Sequence, residues 1–543
     1  MTPSLGLALS IALCVAASLS ANAGLLPERV AQAAQDRIAA GTYQTLLFGV
    51  VDGPRSEIVA FGTLADGTAP DGDTVYEIGS VTKTFTATLL ARAVLAGRVT
   101  LDTPVAALLP DFKIPSRDGR QITLAELATH RSGLPALPFN LLPKDQANPF
   151  ADYDTAKLKA FLAHYQLPRD PGAAFEYSDV GFGLLGQALA ELEHTTYDAL
   201  ARHVILKPLA MTMSGTASTH SVGARLAPGH DARDKPAVSW NIPGLAGTGA
   251  LRSTARDMLR YLKANVGIDP SPLAAAMTLA QQPRRNMDRI TRIGLGWRIS
   301  DRAIVWHPGM TWGYRTFLGF TGDGRRGVVI LSNTAADADD LGFATLLADA
   351  PLAPAHKAIA LPSSSLDDYE GTYKLADKFL LTVFRLDDGL FARATGQQAF
   401  PILPSAPDEF FAKSWGIGIS FTRDAKGAVN GLVLHQNGDH AAPKLRAAEL
   451  PPELREIALD AAAFGDYVGK YRANFGLLEV ALKNDHLEAQ ITGQPSFPIY
   501  AIARDRFFYK IVDARLDFQR DAGGKVVAVI LHQNGGQVRA PRD

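Results

Sequence analysis

The stretch Tyr76–Lys83, with the sequence YEIGSVTK, decides how the first half of this chain folds. It predicts a short strand, a glycine turn and the start of a helix that continues through Thr84–Ala91 (TFTATLLA). Gly79 permits a tight turn, and Ser80 stands where a helix N-cap is expected. The helical spacing of apolar residues predicts a buried face formed by Phe85, Leu89, Val94 and Leu95.

The pair Ser80 and Lys83 also suits nucleophilic chemistry. Residues three apart lie on one face of a helical turn, and a desolvated lysine can help to remove a serine proton. The helix N-terminus adds backbone N–H groups that can stabilise an oxyanion. The alternative is an ordinary cap at Ser80 with Lys83 in solvent. Because S-x-x-K is common by chance, the catalytic interpretation needs partners elsewhere in the chain.

Tyr177 and Asp179 supply a second candidate element. Tyr177 is predicted to open a helix after the turn Pro171-Gly172, and its hydroxyl could relay a proton between nucleophile and leaving group. Asp179 could accept a hydrogen bond from Lys83 or from a substrate amide. The alternatives are a packed tyrosine with one hydrogen bond and an aspartate that caps a helix.

The third candidate element is His307-Pro308-Gly309, at the end of a predicted strand. Gly309 would let a substrate backbone approach the strand edge. The next residue, Met310, could place its N–H opposite that of Ser80, and the two would form an oxyanion hole. The alternative for His307 is a histidine that is hydrogen-bonded at a strand end.

Composition narrows the classes of function. The chain has 543 residues, which predicts more than one domain, and its net charge of −1 gives no sign of nucleic-acid binding. It has one cysteine and no H-E-x-x-H motif or clustered metal ligands. We therefore predict no metal and no cofactor.

Residues 1–23 have the pattern of a signal peptide. An apolar run from Leu5 to Leu19 is too short to span a bilayer comfortably, and an A-x-A pattern follows, with cleavage predicted after Ala23. The start lacks Lys and Arg, so an uncleaved anchor or a buried helix is the alternative. Cys14, the only cysteine, follows Leu13 rather than a small residue, so lipidation is not predicted. The expected protein is exported to a bacterial periplasm, with no stable membrane span after cleavage.

The rest of the chain divides into regions that differ in composition and in predicted secondary structure. Residues 24–350 have strands at both ends and helices between them, which predicts an α+β domain: one antiparallel sheet with a helical insertion. Residues 351–365 have the Pro- and Ser-rich composition of a linker. Residues 366–450 and 451–543 are two copies of one repeat, in which matching segments stand about 97 residues apart. The matches include Asp368–Tyr373 with Asp466–Tyr471, Thr395–Gln397 with Thr492–Gln494, Phe410-Phe411 with Phe507-Phe508, and Leu434–Gly438 with Leu531–Gly535.

Short alternating runs with Gly, Asp and Asn turns predict that each copy is a small antiparallel β-barrel of about eight strands. The barrels could bind cell-wall sugars or restrict access to the active site. The sequence carries no signal for oligomeric state.

Ser80-x-x-Lys83, Tyr177-x-Asp179 and His307-x-Gly309, in this order, resemble the motifs of the penicillin-recognising serine hydrolases. That family includes class C β-lactamases, D-Ala-D-Ala carboxypeptidases and endopeptidases, D-aminopeptidases and related esterases. The stretches Thr129–Pro135 and Ala246–Thr254 are similar to the family as well, so the resemblance covers about residues 30–350. The repeats resemble the β-barrels appended to D-aminopeptidase-type enzymes.

The resemblance implies a β-lactamase/transpeptidase-like fold and an acyl-enzyme mechanism. Ser80 would be the nucleophile, Lys83 and Tyr177 would share the base and acid roles, and the N–H groups of Ser80 and Met310 would bind the oxyanion. Substrate-binding positions would be Asp179, His307 and Gly309. The implied substrate is a peptidoglycan stem peptide ending in D-Ala, or a β-lactam. The alternatives are an esterase or D-aminopeptidase of the same fold, and a receptor that binds without turnover.

One position departs from the family pattern, and the H-x-G form of the third box changes the charge at the site. The family usually has Asn where this chain has Asp179, and an ionised aspartate accepts hydrogen bonds but cannot donate them. It also favours a charged Lys83. His307 stands where many members have lysine, which removes a fixed positive charge, so recognition of a substrate carboxylate would be weaker, or would depend on pH or on another residue such as Arg315.

Overall fold

The computed structural model describes residues 24–141, 143–217, 223, 225–386, 388–436, 438–473, 476–483, 485–491, 496–533 and 536–543. The predicted signal peptide, its cleavage site and Cys14 lie outside these ranges, as do the repeat residues Asn437, Thr492–Gln494 and Asn534-Gly535. Within these ranges no helix has both the length and the apolar character needed to cross a bilayer.

The described strands before residue 351 form one eight-stranded sheet and two short two-stranded sheets. They are β1 (Thr45–Asp52), β2 (Arg55–Gly62), β3 (Val75–Glu77), β4 (Gly229–His230), β5 (Pro236–Ala237), β6 (Arg252–Thr254), β7 (Arg285–Asn286), β8 (Thr291–Ile293), β9 (Arg298–Ser300), β10 (Ile304–Met310), β11 (Arg315–Thr321) and β12 (Arg326–Ser332).

The helices lie mostly between β3 and β7. They are α1 (Glu28–Ala39), α2 (Thr82–Leu95), α3 (Val105–Leu108), α4 (Leu124–Ala128), α5 (Thr155–His164), α6 (Asp179–Leu192), α7 (Tyr197–Ala201), α8 (Ala246–Gly249), α9 (Ala255–Asn265), α10 (Ala274–Gln281), α11 (Asp339–Leu346) and α12 (Ser363–Leu366). A 3₁₀ turn at Gly79–Val81 precedes α2, and a π-helical turn at Arg202–Leu206 follows α7.

The main sheet is antiparallel, with the strand order β2-β1-β12-β11-β10-β9-β8-β7. Strand β1 pairs with β12, where Leu47 lies opposite Leu331, so the two ends of the unit meet in one sheet as predicted. Side chains alternate between the faces: Phe48 packs in the cluster formed with α1 and α11, whereas Leu47 packs toward α2 and α9. The predicted α+β fold is confirmed.

Helix α2 lies inside the helical insertion, and its residues from Thr82 to Ala91 are buried on all sides. The predicted single buried face was therefore too narrow, and it was wrong at Leu95, which is 55% exposed. Ser80 is also not an N-cap. It sits in the 3₁₀ turn, where no side chain caps the backbone, because a tighter turn brings the chain from β3 into α2.

Helix α6 begins at Asp179, with Ser178 as its N-cap. The Ser178 hydroxyl accepts a hydrogen bond from the Gly181 N–H at 2.9 Å. Tyr177 thus precedes the helix rather than opening it, because the shorter serine side chain takes the capping position. The tyrosine ring lies against α2, beside Lys83.

The repeats form two antiparallel barrels, each with eight strands in consecutive order. The first comprises β13 (Gly371–Ala376), β14 (Phe379–Leu386), β15 (Gly389–Ala394), β16 (Phe400–Ala406), β17 (Glu409–Ala412), β18 (Ile417–Arg423), β19 (Val429–His435) and β20 (Asp439–Pro443). The second comprises β21 (Gly469–Ala473), β22 (Gly476–Lys483), β23 (His486–Ile491), β24 (Phe497–Ala503), β25 (Arg506–Tyr509), β26 (Ala514–Arg520), β27 (Val526–Gln533) and β28 (Gly536–Pro541). Short 3₁₀ turns occur at Asp367–Tyr369, Lys413–Trp415, Ala447–Glu449, Pro452–Leu454 and Ala461–Asp466.

The two barrels are nearly closed, and they are packed in the same way. The first closes through a bridge between Tyr373 and Lys444, and the second closes through Tyr471 and Arg542. In both, the buried tyrosine hydroxyl donates at 2.7 Å to the carbonyl of the tyrosine four residues earlier. Apolar side chains fill both interiors. The prediction of two repeated barrels is confirmed.

Candidate active site

The 3₁₀ turn that carries Ser80 lies directly against the end of β10. Gly79 has φ +48°, and a side chain there would come within 2.7 Å of the backbone nitrogen and oxygen of Met310. A Cβ on Gly309 would lie 2.1 Å from the Ile78 carbonyl oxygen. Only glycine fits at both positions, and the two glycines let the backbones of Ser80 and Met310 approach each other. The backbone segments that carry Ser80 and Met310, the two residues predicted to bind an oxyanion, therefore lie side by side.

Lys83 is the centre of the polar network below Ser80. Its side chain is fully buried, and Nζ donates to Ser80 Oγ at 3.0 Å, to Asp179 Oδ1 at 2.7 Å and to the Thr248 carbonyl at 3.0 Å. The Thr248 hydroxyl donates to the same Asp179 oxygen at 2.6 Å. The alternative of a solvent-exposed lysine is wrong, because the insertion encloses the first turn of α2.

The charges around Lys83 keep it protonated. Burial by itself lowers the pKa of Lys83, but the carboxylate of Asp179 and the nearby Tyr177 hydroxyl outweigh it, so the pKa lies above the ordinary lysine value. This confirms the expectation that aspartate at 179 favours a charged lysine. In its resting state Lys83 is an ammonium ion that donates to Ser80 and cannot accept its proton.

The aromatic ring of Tyr177 packs against this polar network. Its ring centroid lies 4.8 Å from Lys83 Nζ, and His130 stacks on it with the ring centroids 4.4 Å apart. His130 Nδ1 also accepts a hydrogen bond from the Ser178 N–H at 3.0 Å. The stretch Thr129–Pro135 thus orients the residues just before α6.

His307 lies behind Tyr177, with the two ring centroids 6.5 Å apart. Burial, followed by the positive charges of Arg298 and Lys83, holds the pKa of His307 well below its usual range, so the ring is neutral at pH 7. Its Nδ1 bonds the Pro308 carbonyl at 2.6 Å, which leaves Nε2 as an acceptor. Among the described residues this buried Nε2 has no hydrogen-bond partner.

The arginine that faces this site is Arg298 and not Arg315. The guanidinium of Arg298 lies 5.9 Å from the Tyr177 ring centroid and 5.0 Å from that of Trp306. Arg315 is buried and forms ion pairs with Asp337 and Asp339, so the expectation that it would meet a substrate carboxylate is wrong. No carboxylate of the described chain lies within ion-pair distance of the half-buried Arg298.

Aromatic residues from three loops form a rim near Met310. The ring of Trp240 lies 5.1 Å from Phe150 and 6.5 Å from Trp312, measured between centroids. Trp312 is 54% exposed, and the backbone N–H of Trp240 donates to Glu77 Oε1 at 2.7 Å. Of these rings only that of Trp312 presents an exposed apolar surface, two residues after Met310.

The site therefore combines three motifs that are distant in the sequence, and comparison with known proteins agrees with it. A family model described as Beta-lactamase matches residues 30–350, more than half of the chain. The chain belongs to the beta-lactamase family. Residues 30–350 are accordingly a serine hydrolase domain. In this beta-lactamase-family chain a second model, described as a domain of unknown function (DUF3471), matches residues 355–450 and 453–539.

Several relatives of this beta-lactamase-family chain are known. Penicillin-binding protein 4 of Amycolatopsis lactamdurans is 30% identical over 270 residues, which cover 46% of this chain and 67% of that protein. The D-alanyl-D-alanine-carboxypeptidase/endopeptidase AmpH of Escherichia coli (strain K12) is 29% identical over 225 residues, 40% of this chain and 57% of AmpH. The chain thus spans less than two thirds of AmpH. The octameric penicillin-binding protein homologue from Pyrococcus abyssi shares the fold, with a TM-score of 0.54 at 21% identity over 76% of this chain and 99% of that one.

The structure brings together all of the residues predicted for the site, namely Ser80, Lys83, Tyr177, Asp179, His307, Gly309 and Met310. It adds Thr248, His130 and Arg298, which sequence reasoning did not assign. The stretches Ala246–Thr254 and Thr129–Pro135 could have indicated the first two, whereas Arg298 carries no local motif. Among the described residues, no group of three His, Cys, Asp or Glu side chains could hold a metal ion.

Proposed function

We propose that this protein is an exported serine hydrolase that forms an acyl-enzyme on D-Ala-containing peptidoglycan peptides or on β-lactams. The observation that carries the proposal is the 3.0 Å contact between the buried Lys83 Nζ and Ser80 Oγ, beside the backbone of Met310. The relatives whose names include penicillin binding and D-alanyl-D-alanine carboxypeptidase activity support the substrate class. Export is supported by the apolar run and the A-x-A pattern of residues 1–23.

In the proposed mechanism Ser80 Oγ attacks the substrate carbonyl and its proton passes into the pair formed by Lys83 and Tyr177. Lys83 starts as an ammonium ion, so acylation proceeds from the form in which Lys83 has released one proton to solvent water, and the Lys83–Tyr177 pair then has room for the proton of Ser80. The N–H groups of Ser80 and Met310 stabilise the oxyanion, and one such donor contributes about 3 kcal/mol to transition-state binding. The same pair protonates the leaving group, and water then releases the acyl group by the reverse proton transfers.

Arg298 is the group that we assign to the substrate carboxylate. D-Ala peptides and β-lactams both carry one, and His307 is neutral, so it offers no charge to bind it. Arg298 has a guanidinium that forms no direct ion pair with a described carboxylate, and it lies beside Tyr177 and Trp306. A planar guanidinium matches the geometry of a carboxylate.

Replacing Arg298 by methionine is expected to raise KM about tenfold to a hundredfold for substrates with a free carboxylate, since charge-assisted hydrogen bonds contribute roughly 1.5–3 kcal/mol. The KM for p-nitrophenyl acetate, which has no carboxylate, should stay within about twofold. Arg302→Met is the matched control, because Arg302 follows the same strand but pairs with Asp349 at the surface, at 2.7 Å. Steady-state kinetics with both substrates checks this, and equal effects on the two substrates would contradict the assignment.

The test of the proposed function is intact-mass spectrometry of the purified protein during incubation with benzylpenicillin. We expect an adduct on Ser80. If the adduct is transient and hydrolysed penicillin accumulates, the protein is a β-lactamase. If the adduct persists, it is a penicillin-binding peptidase or a receptor without turnover, and release of D-Ala from a stem peptide separates these two.

The second candidate function is that of a D-aminopeptidase or esterase, and Asp179 is the observation that favours it. An ionised carboxylate accepts from an amine but cannot donate to the amide carbonyl of an N-acylated substrate. Absence of any penicillin adduct, together with hydrolysis of a D-alanyl anilide or a simple ester, would replace the first candidate by this one.

A further inference from the structure

The first barrel inserts a short loop into the catalytic domain. This docking loop, Lys413–Gly416, follows β17 and carries a lysine whose side chain is only 2% exposed. Lys413 Nζ donates to the Gly41 carbonyl at 2.7 Å and to Asp234 Oδ2 at 2.6 Å. A buried lysine with both partners in another domain shows that the two units are joined by specific polar contacts as well as by the chain.

The docking loop also holds the segment that follows β12. The Lys413 carbonyl accepts a hydrogen bond from the Asp337 N–H at 2.6 Å, and the Ser414 hydroxyl donates to the Ala335 carbonyl at 3.0 Å. Gly416, with φ +60°, lies so close to Asp337 that a Cβ would be 2.9 Å from its carboxylate oxygen. The loop therefore covers Asp337 and restricts where its carboxylate can point.

Asp337 in turn holds Arg315, which lies next to the predicted oxyanion hole. Arg315 forms ion pairs with Asp337 and with Asp339, the latter at 2.9 Å. It stands directly opposite Met310 in the pairing of β10 and β11, and its guanidinium reaches Met310 Sδ at 3.8 Å. The contacts thus run without a gap from the first barrel to Met310.

We propose that the first barrel positions the oxyanion hole: its docking loop, through Asp337 and Arg315, holds the turn between β10 and β11 so that the Met310 N–H faces Ser80. This rests on the proposed function, in which Met310 binds the oxyanion. The first barrel then contributes to catalysis by holding part of the catalytic domain in place. Lys413, Asp337 and Arg315 are positioning residues that do not touch the substrate.

The second barrel supplies an internal comparison. Lys510 occupies the position of Lys413 in the repeat, 97 residues later. Its carbonyl accepts a hydrogen bond from Arg393 of the first barrel at 2.7 Å, and its Nζ lies 3.1 Å from Glu456. The same loop is used for docking in both copies, but the second copy docks on the first barrel, away from Arg315.

The test compares the double variant Lys413→Met/Ser414→Ala with the matched control Lys510→Met, both in the full chain. Two readouts are used: hydrogen–deuterium exchange of the peptide covering residues 307–316, and kcat and KM for p-nitrophenyl acetate. We expect faster exchange of this peptide and a kcat about tenfold lower in the double variant, because a full oxyanion donor is worth 10²–10³ in kcat and displacement removes only part of it. KM should stay within about twofold, since an oxyanion donor acts mainly in the transition state.

Unchanged exchange of residues 307–316 in a folded docking-loop variant would overturn the proposal, and so would an equal effect of Lys510→Met. If the double variant does not fold, Asp234→Asn makes the same comparison, because it removes the charge that faces Lys413 and asparagine tolerates the φ of +61° at that position. If the wild-type protein turns over no substrate, the proposed function fails, while the exchange measurement still decides whether the barrel holds this turn.

Discussion

Replacing Ser80 by alanine is expected to lower kcat by about 10⁵-fold or more and to abolish the penicillin adduct, as removal of a serine nucleophile does in other serine hydrolases. The fold should survive, because the side chain of Ser80 makes a single hydrogen bond among the described residues, that from Lys83. Lys83 keeps Asp179 and the Thr248 carbonyl, so no buried charge is left without a partner. The change in the free energy of unfolding should be within about 1 kcal/mol.

The control for Ser80→Ala is Ser56→Ala, which alters an exposed serine on β2. It should leave kcat, the adduct and the melting temperature unchanged. Intact mass, turnover of benzylpenicillin and thermal unfolding are measured on all three proteins. Adduct formation or wild-type turnover by folded Ser80→Ala would show that another residue is the nucleophile.

Replacing Asp179 by asparagine is expected to increase the acylation rate at pH 7 by about tenfold for each unit by which the pKa of Lys83 falls. The carboxylate is the largest influence that raises this pKa, and burial, which lowers it, remains in the variant. A rate that needs the free amine rises with pH through the pKa of Lys83. The rising limb of the pH–rate profile should therefore move to lower pH in the variant.

Asp179→Ala separates the two roles of residue 179 in that experiment. It removes the charge as asparagine does, but it adds no N–H donor for the amide carbonyl of an N-acylated substrate. In both variants the rising limb of the pH–rate profile should lie at lower pH than in the wild type. Only the asparagine variant should also favour N-acylated peptides over substrates with a free amine. A limb that stays in place in both would mean that Lys83 works as a cation and that Tyr177 takes the proton of Ser80.

The contacts of the first barrel bear on the role of the DUF3471 repeats in this chain. The sequence allows two roles for these repeats: they bind cell-wall sugars, or they restrict access to the active site. Their filled interiors leave little room for a ligand, and the docking loop of the first copy reaches the segment that holds Arg315. The contacts favour a role in shaping the catalytic domain.

Some expectations failed for the same physical reason, namely that neighbours distant in sequence decide how a side chain is used. Leu95 fits the helical period, but it stands where α2 leaves the core. Ser80 and Tyr177 each look like the first residue of a helix, whereas a 3₁₀ turn and the N-cap Ser178 take those positions. Arg315 is close in sequence to His307, but it pairs with Asp337, before α11, and with Asp339, the first residue of α11.

The amino-acid sequence alone predicted the candidate catalytic residues and the order of the domains. These predictions came from patterns that can be recognised in the sequence without knowledge of the fold. They are the serine and lysine three residues apart, the tyrosine, the H-x-G box and the 97-residue repeat. Four features became visible only in the folded chain: the charged state of Lys83, the neutral state of His307, the position of Arg298 rather than Arg315 beside Tyr177, and the contact of the docking loop with Asp337. Charge state and partner choice depend on burial and on groups brought together from up to several hundred residues apart, and the chain acquires both only when it folds.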